Sequence, residues 1–475
     1  MGGLYHTLNI GAESLYASRQ GVDTAGHNIA NAQTEGYSRQ RVNLEQRDPS
    51  ETRGIIIGNG VFVKNINRAH DQFLERQIND NNQATGRNEA RFDSMKPLEA
   101  IYSPELNNTL SSEIDRFFNS LQDLSNFPEE LTVRTAVREN AQNVVNSFHR
   151  IDSSLKDQRT DINNRIQVEV ENVSTKLQEI AKLNVAIKAA ETSANPEVSD
   201  LLDQQDKILR ELTKQIDINY YRGEHGSVVV RGPQETLLVD RGFFAKFSIN
   251  RDRDSDAGLY RIVVEDGAAH QPTDITYLNK KGTLGGLVEV RDKVIPGLLE
   301  HNNKMASTFA DKINTVHQTG YGLGDFKERV GRNFFSISSD QGRAAESIGL
   351  DIHVSESTDA ISAASSPNAP GDNVIVNDLL RLKEERAMDN GLSTFQDYYA
   401  GYVGIFGLDL VRSDQLKQAD EKLAQNLSAR KESISGVSMD EEAMNLLKWQ
   451  ANFTASSKVI TTIDEMLDTV LQMKR

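Results

Sequence analysis

Two narrow apolar stripes, one at each end of the sequence, constrain this chain more than any other feature. Near the start, Leu4, Leu8, Gly11, Leu15, Ser18, Val22, Ala25 and Ile29 follow a strict 4-3-4-3 spacing. Bulky Leu8, Leu15, Val22 and Ile29 alternate with small Gly11, Ser18 and Ala25, which permit a partner helix to come close. Near the end, Met439, Leu446, Phe453, Ile460 and Leu467 recur every seventh residue, with Leu471 closing the stripe and Trp449, Ile463 and Val470 widening it. Stripes this thin suit a coiled-coil seam, whereas a helix on a globular core presents a broader face. The N-terminal spacing taken alone fits an amphipathic core helix equally well. Ser438 followed by Glu441 is a capping-box pattern at the start of the second helix. Two end helices with little core of their own have an economical solution: they pair with each other, or with neighbouring subunits.

Between the ends the chain goes out and comes back. Residues 31–37 are turn-rich, residues 39–44, 55–57 and 61–63 read as short strands, and helix resumes near Ala69. Residues 129–190 contain neither Pro nor Gly. Their stripe runs from Val133 and Val137 through Phe148, Ile162 and Leu177 to Ile187, which predicts one helix about 90 Å long. It stops before Asn195-Pro196, and a second helix over 197–216 follows as an antiparallel neighbour. From Ile216 the period changes to 2, with turn residues between short segments as far as Leu278, which predicts a small all-β insert. Helix returns over 285–318 with Pro296 as a kink or break, then over 376–388 and 411–433. The fold class is mainly α with a β insert, the terminal helices paired as a coiled coil and the middle an elongated helical bundle. The expected units are 1–68 with 400–475, 69–215 with 285–399, and 216–284.

Composition removes several functions. The net charge of −16 opposes non-specific nucleic-acid binding and docking on an anionic membrane. Both ends are close to neutral, so the acidity lies in the middle and the ends repel each other little. Without cysteine there are no disulfides, thiolate metal sites or thiol catalysis. No apolar run approaches the ~18 residues of a membrane span, and the first residues do not read as a secretory signal peptide. The nine histidines form no HExxH or comparable ligand pair, and no GxSxG is present. Gly320-Tyr321-Gly322-Leu323-Gly324-Asp325 lacks the order of a phosphate-binding loop and reads as a flexible turn. Asp440-Glu441-Glu442 sits at a helix start, where the macrodipole favours acid without any catalytic role. No cofactor, metal or catalytic residue is expected.

The segment Asn28-Ile29-Ala30-Asn31-Ala32-Gln33-Thr34-Glu35-Gly36-Tyr37-Ser38-Arg39-Gln40 resembles the N-terminal signature of the bacterial flagellar rod, hook and hook-associated proteins. Glu35 stands where that family often has Pro. Gly58-Asn59-Gly60-Val61-Phe62-Val63, with Ile66, Arg68, Asp71 and Leu74, is similar to the hook-associated branch, and so is the end from Ser435 through Leu467. The resemblance covers roughly residues 4–80 and 433–472 closely. It implies an inner coiled-coil domain of terminal helices, a helical middle domain and a projecting β-rich outer domain. The implied function is that of a structural adaptor at the hook–filament junction, outside the cell, exported by the flagellar type III route. Implied partners are the hook protein, the second junction protein, copies of the chain itself, and a cytoplasmic export chaperone at the C-terminal region. Another axial protein of the same family (hook or distal rod) is the alternative, and a cell-wall hydrolase a remote one. The expected assembly residues are Leu4, Leu8, Leu15, Val22, Ile29, Met439, Leu446, Phe453, Ile460 and Leu467 along the seam, with Asn31, Gly36, Tyr37 and Arg39 in the loop. Tyr37 and Arg39 are expected as intersubunit anchors, because Tyr and Arg are enriched at interface hot spots.

Overall fold

The computed structural model describes residues 2–52, 55–102, 109–191, 198–223, 226–251, 258–265, 272–338 and 340–473. Helix α1 (Gly2–Asn31) leads into β1 (Gln40–Gln46), β2 (Ser50–Thr52), β3 (Ile55–Ile57) and β4 (Val61–Arg68). β1 pairs antiparallel with β4 and β2 with β3, one hairpin continued by a shorter one. Four helices follow: α2 (Gln72–Tyr102), α3 (Leu110–Asn126), α4 (Leu131–Glu191) and α5 (Val198–Gln215).

α4 is a single helix of 61 residues. Nothing in its sequence breaks it, and its 3-4 stripe finds cover along its whole length. Val137, Val144, Phe148, Ile151, Leu155, Ile162, Ile166, Val170, Val173, Leu177, Ile180 and Ile187 are all buried, and Val133 is partly so. The Asn195-Pro196 stop lies outside the described residues.

The insert forms two antiparallel sheets. One has the order β5 (Asn219–Arg222), β6 (Val228–Arg231), β7 (Leu237–Asp240), β8 (Phe243–Phe244). The other joins β9 (Lys246–Arg251), β10 (Tyr260–Glu265) and β11 (Thr273–Asp274), with β10 in the centre. Strands this short cannot enclose a core, and they borrow one from α4. Val228, Val230, Leu238, Phe247 and Ile262 belong to the same continuous core as Leu177 and Ile180. Asn184 of α4 closes the seat: its amide donates to Val228 O at 2.9 Å and accepts from Val228 N at 2.8 Å. The expected insert is therefore present in its strands but shares its core with the rod.

The return begins with α6 (Gly282–Glu289), a widened π turn at Val290–Val294, and α7 (Ile295–His317). The break expected at Pro296 takes this form: the irregular turn lies just upstream, and Pro296 occupies the first turn of α7, where a missing N–H is tolerated. Then come β12 (Phe335–Ser336), α8 (Ala344–Ser347), β13 (Gly349–Leu350), α9 (Ile352–Glu356), α10 (Val374–Arg381), α11 (Phe395–Ser435) and α12 (Met439–Gln472). The Gly320–Asp325 segment is not a flexible turn. Tyr321 bridges Ala364, and a Cβ on Gly322 would lie 2.2 Å from Asp359 O.

α11 starts well before the expected Val411. Thr394 and Asp397 form a full capping box. Gly401, Gly404 and Gly407 do not interrupt the helix, because Tyr398, Tyr402, Phe406 and Leu410 bury a 4-4-4 stripe on the other side. α11 runs back along α2, held by Arg91–Asp409 at 2.5 Å, Asn88–Asp420 at 2.7 Å and Lys417–Asp93 at 3.1 Å. Both halves of the sequence thus build one rod, and the boundary expected at residue 400 falls inside a continuous helix. Phe117, Phe309, Phe334, Phe335 and Phe395 fill the distal core with edge-on and tilted ring contacts.

Candidate assembly site at the terminal helices

α1 and α12 lie antiparallel against each other. The pairs run in opposite directions along the two helices: Gly11 with Ile460, Ser14 with Ser456, Gly21 with Trp449, and Asn28 with Glu442. A Cβ on Gly11 would lie 3.0 Å from Ile460 Cγ1, and the hydroxyls of Ser14 and Ser456 are 2.8 Å apart. A Cβ on Gly21 would fall inside the indole of Trp449, 2.2 Å from Cδ2.

The contact is centred on the small and polar positions. Gly11, Ala17, Ser18, Gly21, Thr24, Ala25 and Asn28 are buried on α1, and Glu442, Ser456 and Ile463 on α12. The bulky positions flank that line. Leu4, Leu8, Leu15, Val22 and Ile29 are half-buried, as are Leu446, Ile460 and Leu467. Met439 and Phe453 are exposed. A second apolar stripe on α12, containing Met444, Val459, Met466 and Val470, also faces outward, as do Tyr5 and Tyr16 of α1.

At the base a polar knot joins the two helices and the 32–39 loop. Asn28 spends its whole side chain there. Its Oδ1 accepts from Gln40 N at 2.9 Å and from the Tyr37 hydroxyl at 2.7 Å. Its Nδ2 donates to Gln40 O at 2.9 Å and to Glu442 Oε2 at 3.0 Å. Arg39 reaches Glu441 at 2.5 Å and Glu442 at 2.6 Å, and its backbone N–H donates to Ser435 O. Ser438 caps α12 through Glu441 N as the capping-box pattern predicts, but the Glu441 carboxylate turns to Arg39.

The loop residues are placed by these contacts. Gly36 has φ +88°, a left-handed conformation that favours glycine, and sits against Arg210 of α5. Asn31 donates to His27 O and accepts from Thr34. Burial pushes the Tyr37 phenol up, and Asp200, Asp203 and Glu442 add to it. The phenol is therefore a permanent donor. Arg39, expected as an intersubunit anchor, is buried and committed to its own chain's α12.

A second cluster ties the β1/β4 hairpin to α5. Arg68 bonds Asp203 at 2.8 Å and Asp206 at 2.6 Å, Arg222 also pairs with Asp206, and Ser38 N donates to Asp203 at 2.8 Å. Burial raises the Asp206 carboxyl, but Arg222, Arg68 and His70 outweigh it and hold the group below its ordinary value. Asp203 is held above its ordinary value, because burial exceeds the pull of Arg68. Sequence reasoning missed Asn28, Glu442, Asp203 and Asp206 as site residues. A lone Asn on the inner face of a heptad helix is a legible signal of a specificity contact. The α5 acids, more than a hundred residues from Arg68 and Ser38, carry none.

Among the described residues no group of three His, Asp or Glu side chains is placed to hold a metal ion, and no helix is long and apolar enough to cross a membrane. The geometry offers helix faces and a clasp between chain ends. A family profile described as "Flagellar hook-associated protein FlgK helical domain" matches residues 95–335, just over half the chain, and one described as "Flagellar basal body rod FlgEFG protein C-terminal" matches 432–473. The chain is 26% identical over 500 residues to flagellar hook-associated protein 1 of Bacillus subtilis, covering 98% of this chain and 97% of that protein. It is 25% identical over 557 residues to the protein of the same name from Salmonella typhimurium, covering 98% and 99%. The solved structure of the flagellar hook junction protein FlgK from Burkholderia pseudomallei has the same fold, with a TM-score of 0.68 at 14% identity, covering 76% of this chain and all of that one. With its helical domain, its rod-type C-terminus and full-length likeness to these relatives, the chain belongs to the FlgK family of flagellar hook-associated proteins.

Proposed function

We propose that this chain is a structural adaptor at the hook–filament junction, polymerising through its terminal helices and joining the hook to the distal junction protein and filament. One observation carries the reading. α1 and α12 clasp each other, yet the pair still exposes Met439, Met444, Phe453, Val459 and Met466, more apolar surface along one element than an isolated monomer favours. Copies of the chain complete those faces in a coiled-coil arrangement. The seam residues Leu4, Leu8, Leu15, Val22, Ile29, Leu446, Ile460 and Leu467 hold the pair, while Met439 and Phe453 meet neighbours. Asn31, Gly36 and Tyr37 shape the loop surface, and Arg39 acts through α12 rather than as a direct anchor.

In this reading residues 1–68 and the chain from α12 onward form the inner unit, the boundary expected at 400 giving way because α11 packs along α2; 69–215 and 285–435 form the rod, and 216–284 the outward face. Before export a cytoplasmic chaperone covers the exposed apolar stripe of the C-terminal region, and the chain then passes out by the flagellar type III route. Adding purified protein to isolated hooks that lack a cap tests the position. Decoration confined to the distal hook end is expected. Binding along the sides, or none, would remove the junction assignment in favour of another axial position.

A further inference from the structure

Apolar burial alone does not decide which face α12 turns toward α1. At 3.6 residues per turn its apolar side chains occupy about two thirds of the circumference. Leu446 and Phe453 lie on one edge of that belt, Ile460 and Ile463 in the middle, Val459 and Met466 on the other edge. Rotating α12 by one residue would exchange one apolar set for another on α1. The face actually chosen carries a buried carboxylate, Glu442, and a buried hydroxyl, Ser456.

We infer that the Asn28–Glu442–Arg39 knot sets the rotational phase of α12, and so determines which apolar stripe the terminal pair presents outward. Asn28 is immobilised by its two bonds to Gln40 and one from Tyr37, which leaves a single Nδ2 hydrogen aimed at α12. Glu442 answers it with Oε2 and gives Oε1 to Arg39, with the carboxylate almost wholly out of water. Any other phase withdraws Glu442 and leaves a buried Asn donor and a buried guanidinium short of an acceptor. A mispaired buried polar group excludes its arrangement far more strictly than a lost apolar contact does, which is how single polar residues specify helix pairing. Glu442 is a positioning residue here, acting on the faces of α12 and not as a binding group itself.

The absence of cysteine makes the phase measurable in the purified monomer, independently of any assembly role. Ser14→Cys with Ser456→Cys reports the observed phase, since the two hydroxyls are already 2.8 Å apart. Ser14→Cys with Ala455→Cys reports a rotation of about 100° at the same height. In the otherwise unchanged chain, oxidation should favour the 14–456 crosslink over 14–455 at least tenfold, read as monomer bands on a non-reducing gel. Glu442→Leu, which keeps size and helix propensity, should cut that preference at least tenfold. Glu442→Gln keeps one acceptor oxygen but turns an amide donor toward the other partner, so its preference should fall between those of the parent and Glu442→Leu. The inference is overturned if Glu442→Leu leaves the preference intact, because shape alone would then set the phase. It is also overturned if both crosslinks disappear, because the knot would then hold the helices together without selecting their faces.

Discussion

Gly21 and Trp449 occupy one another's space: the indole lies where any side chain at position 21 would begin, 2.2 Å from a built Cβ. The contact packs the indole directly against the α1 backbone. It also places the protein's sole tryptophan in the seam.

Gly21→Ala therefore cannot be accommodated without moving the indole. Overpacking of this kind costs about 1–3 kcal/mol. The expected outcome is a red-shifted tryptophan emission and earlier loss of the α1/α12 pair on heating, with the rod's unfolding transition unchanged. Emission identical to the parent would show that Trp449 does not pack on α1 in solution.

The distal aromatic core should be far less forgiving. Phe309 is fully buried against Phe117, Phe148, Phe335 and Phe395. Phe309→Ala should cost about 3–5 kcal/mol by denaturant titration of the rod transition. It should leave the Trp449 signal alone until that transition.

His317 gives the rod a pH dependence. It is fully buried, accepts from Ser362 N at 2.9 Å through Nε2 and donates from Nδ1 to Arg332 O at 3.0 Å. Burial, with Arg332 and Arg134 nearby, pushes its pKa down to about 4. The folded state thus refuses a proton that the unfolded chain takes near pH 6.5. Stability is complete above that value and falls as the pH drops toward 4, by roughly 3 kcal/mol in all and about 2 kcal/mol between pH 7 and 5. Urea titrations at the two pH values measure the loss, and His317→Gln should flatten it.

Leu467 lies on the α1-facing side of α12 near the open end of the pair, half-buried. Leu467→Asp should abolish incorporation into the flagellar axis while leaving the circular dichroism and melting of the rod intact. Normal incorporation of that variant would defeat the seam as the polymerising element.

Much of the architecture could be read from residue spacing. The α4 stripe from Val133 to Ile187 specifies a helix because nothing interrupts it, and the two heptad ends specify their own helices. What spacing could not supply was context. Gly401, Gly404 and Gly407 look like breakers until Tyr398, Tyr402 and Phe406 are seen burying the opposite side of the helix. The insert reads as self-contained because alternation shows strands but not whose core they share. At the candidate site, Arg39 is legible as a residue, while its tie to α12 is not. Arg39 meets its partners 402 residues along the chain, at Glu441, a pairing that no local pattern encodes.

α11 leaves the rod without interruption and ends at Ser435, and α12 begins at Met439. A 41-residue helix is a stiff strut of about 60 Å. Bending compliance along this return path is therefore concentrated in the three residues between the helices. Those residues lie beside the Arg39 bond to Ser435 O. Any tilt of the α1/α12 pair relative to the rod is therefore taken up at that joint, beside a single 2.9 Å clamp.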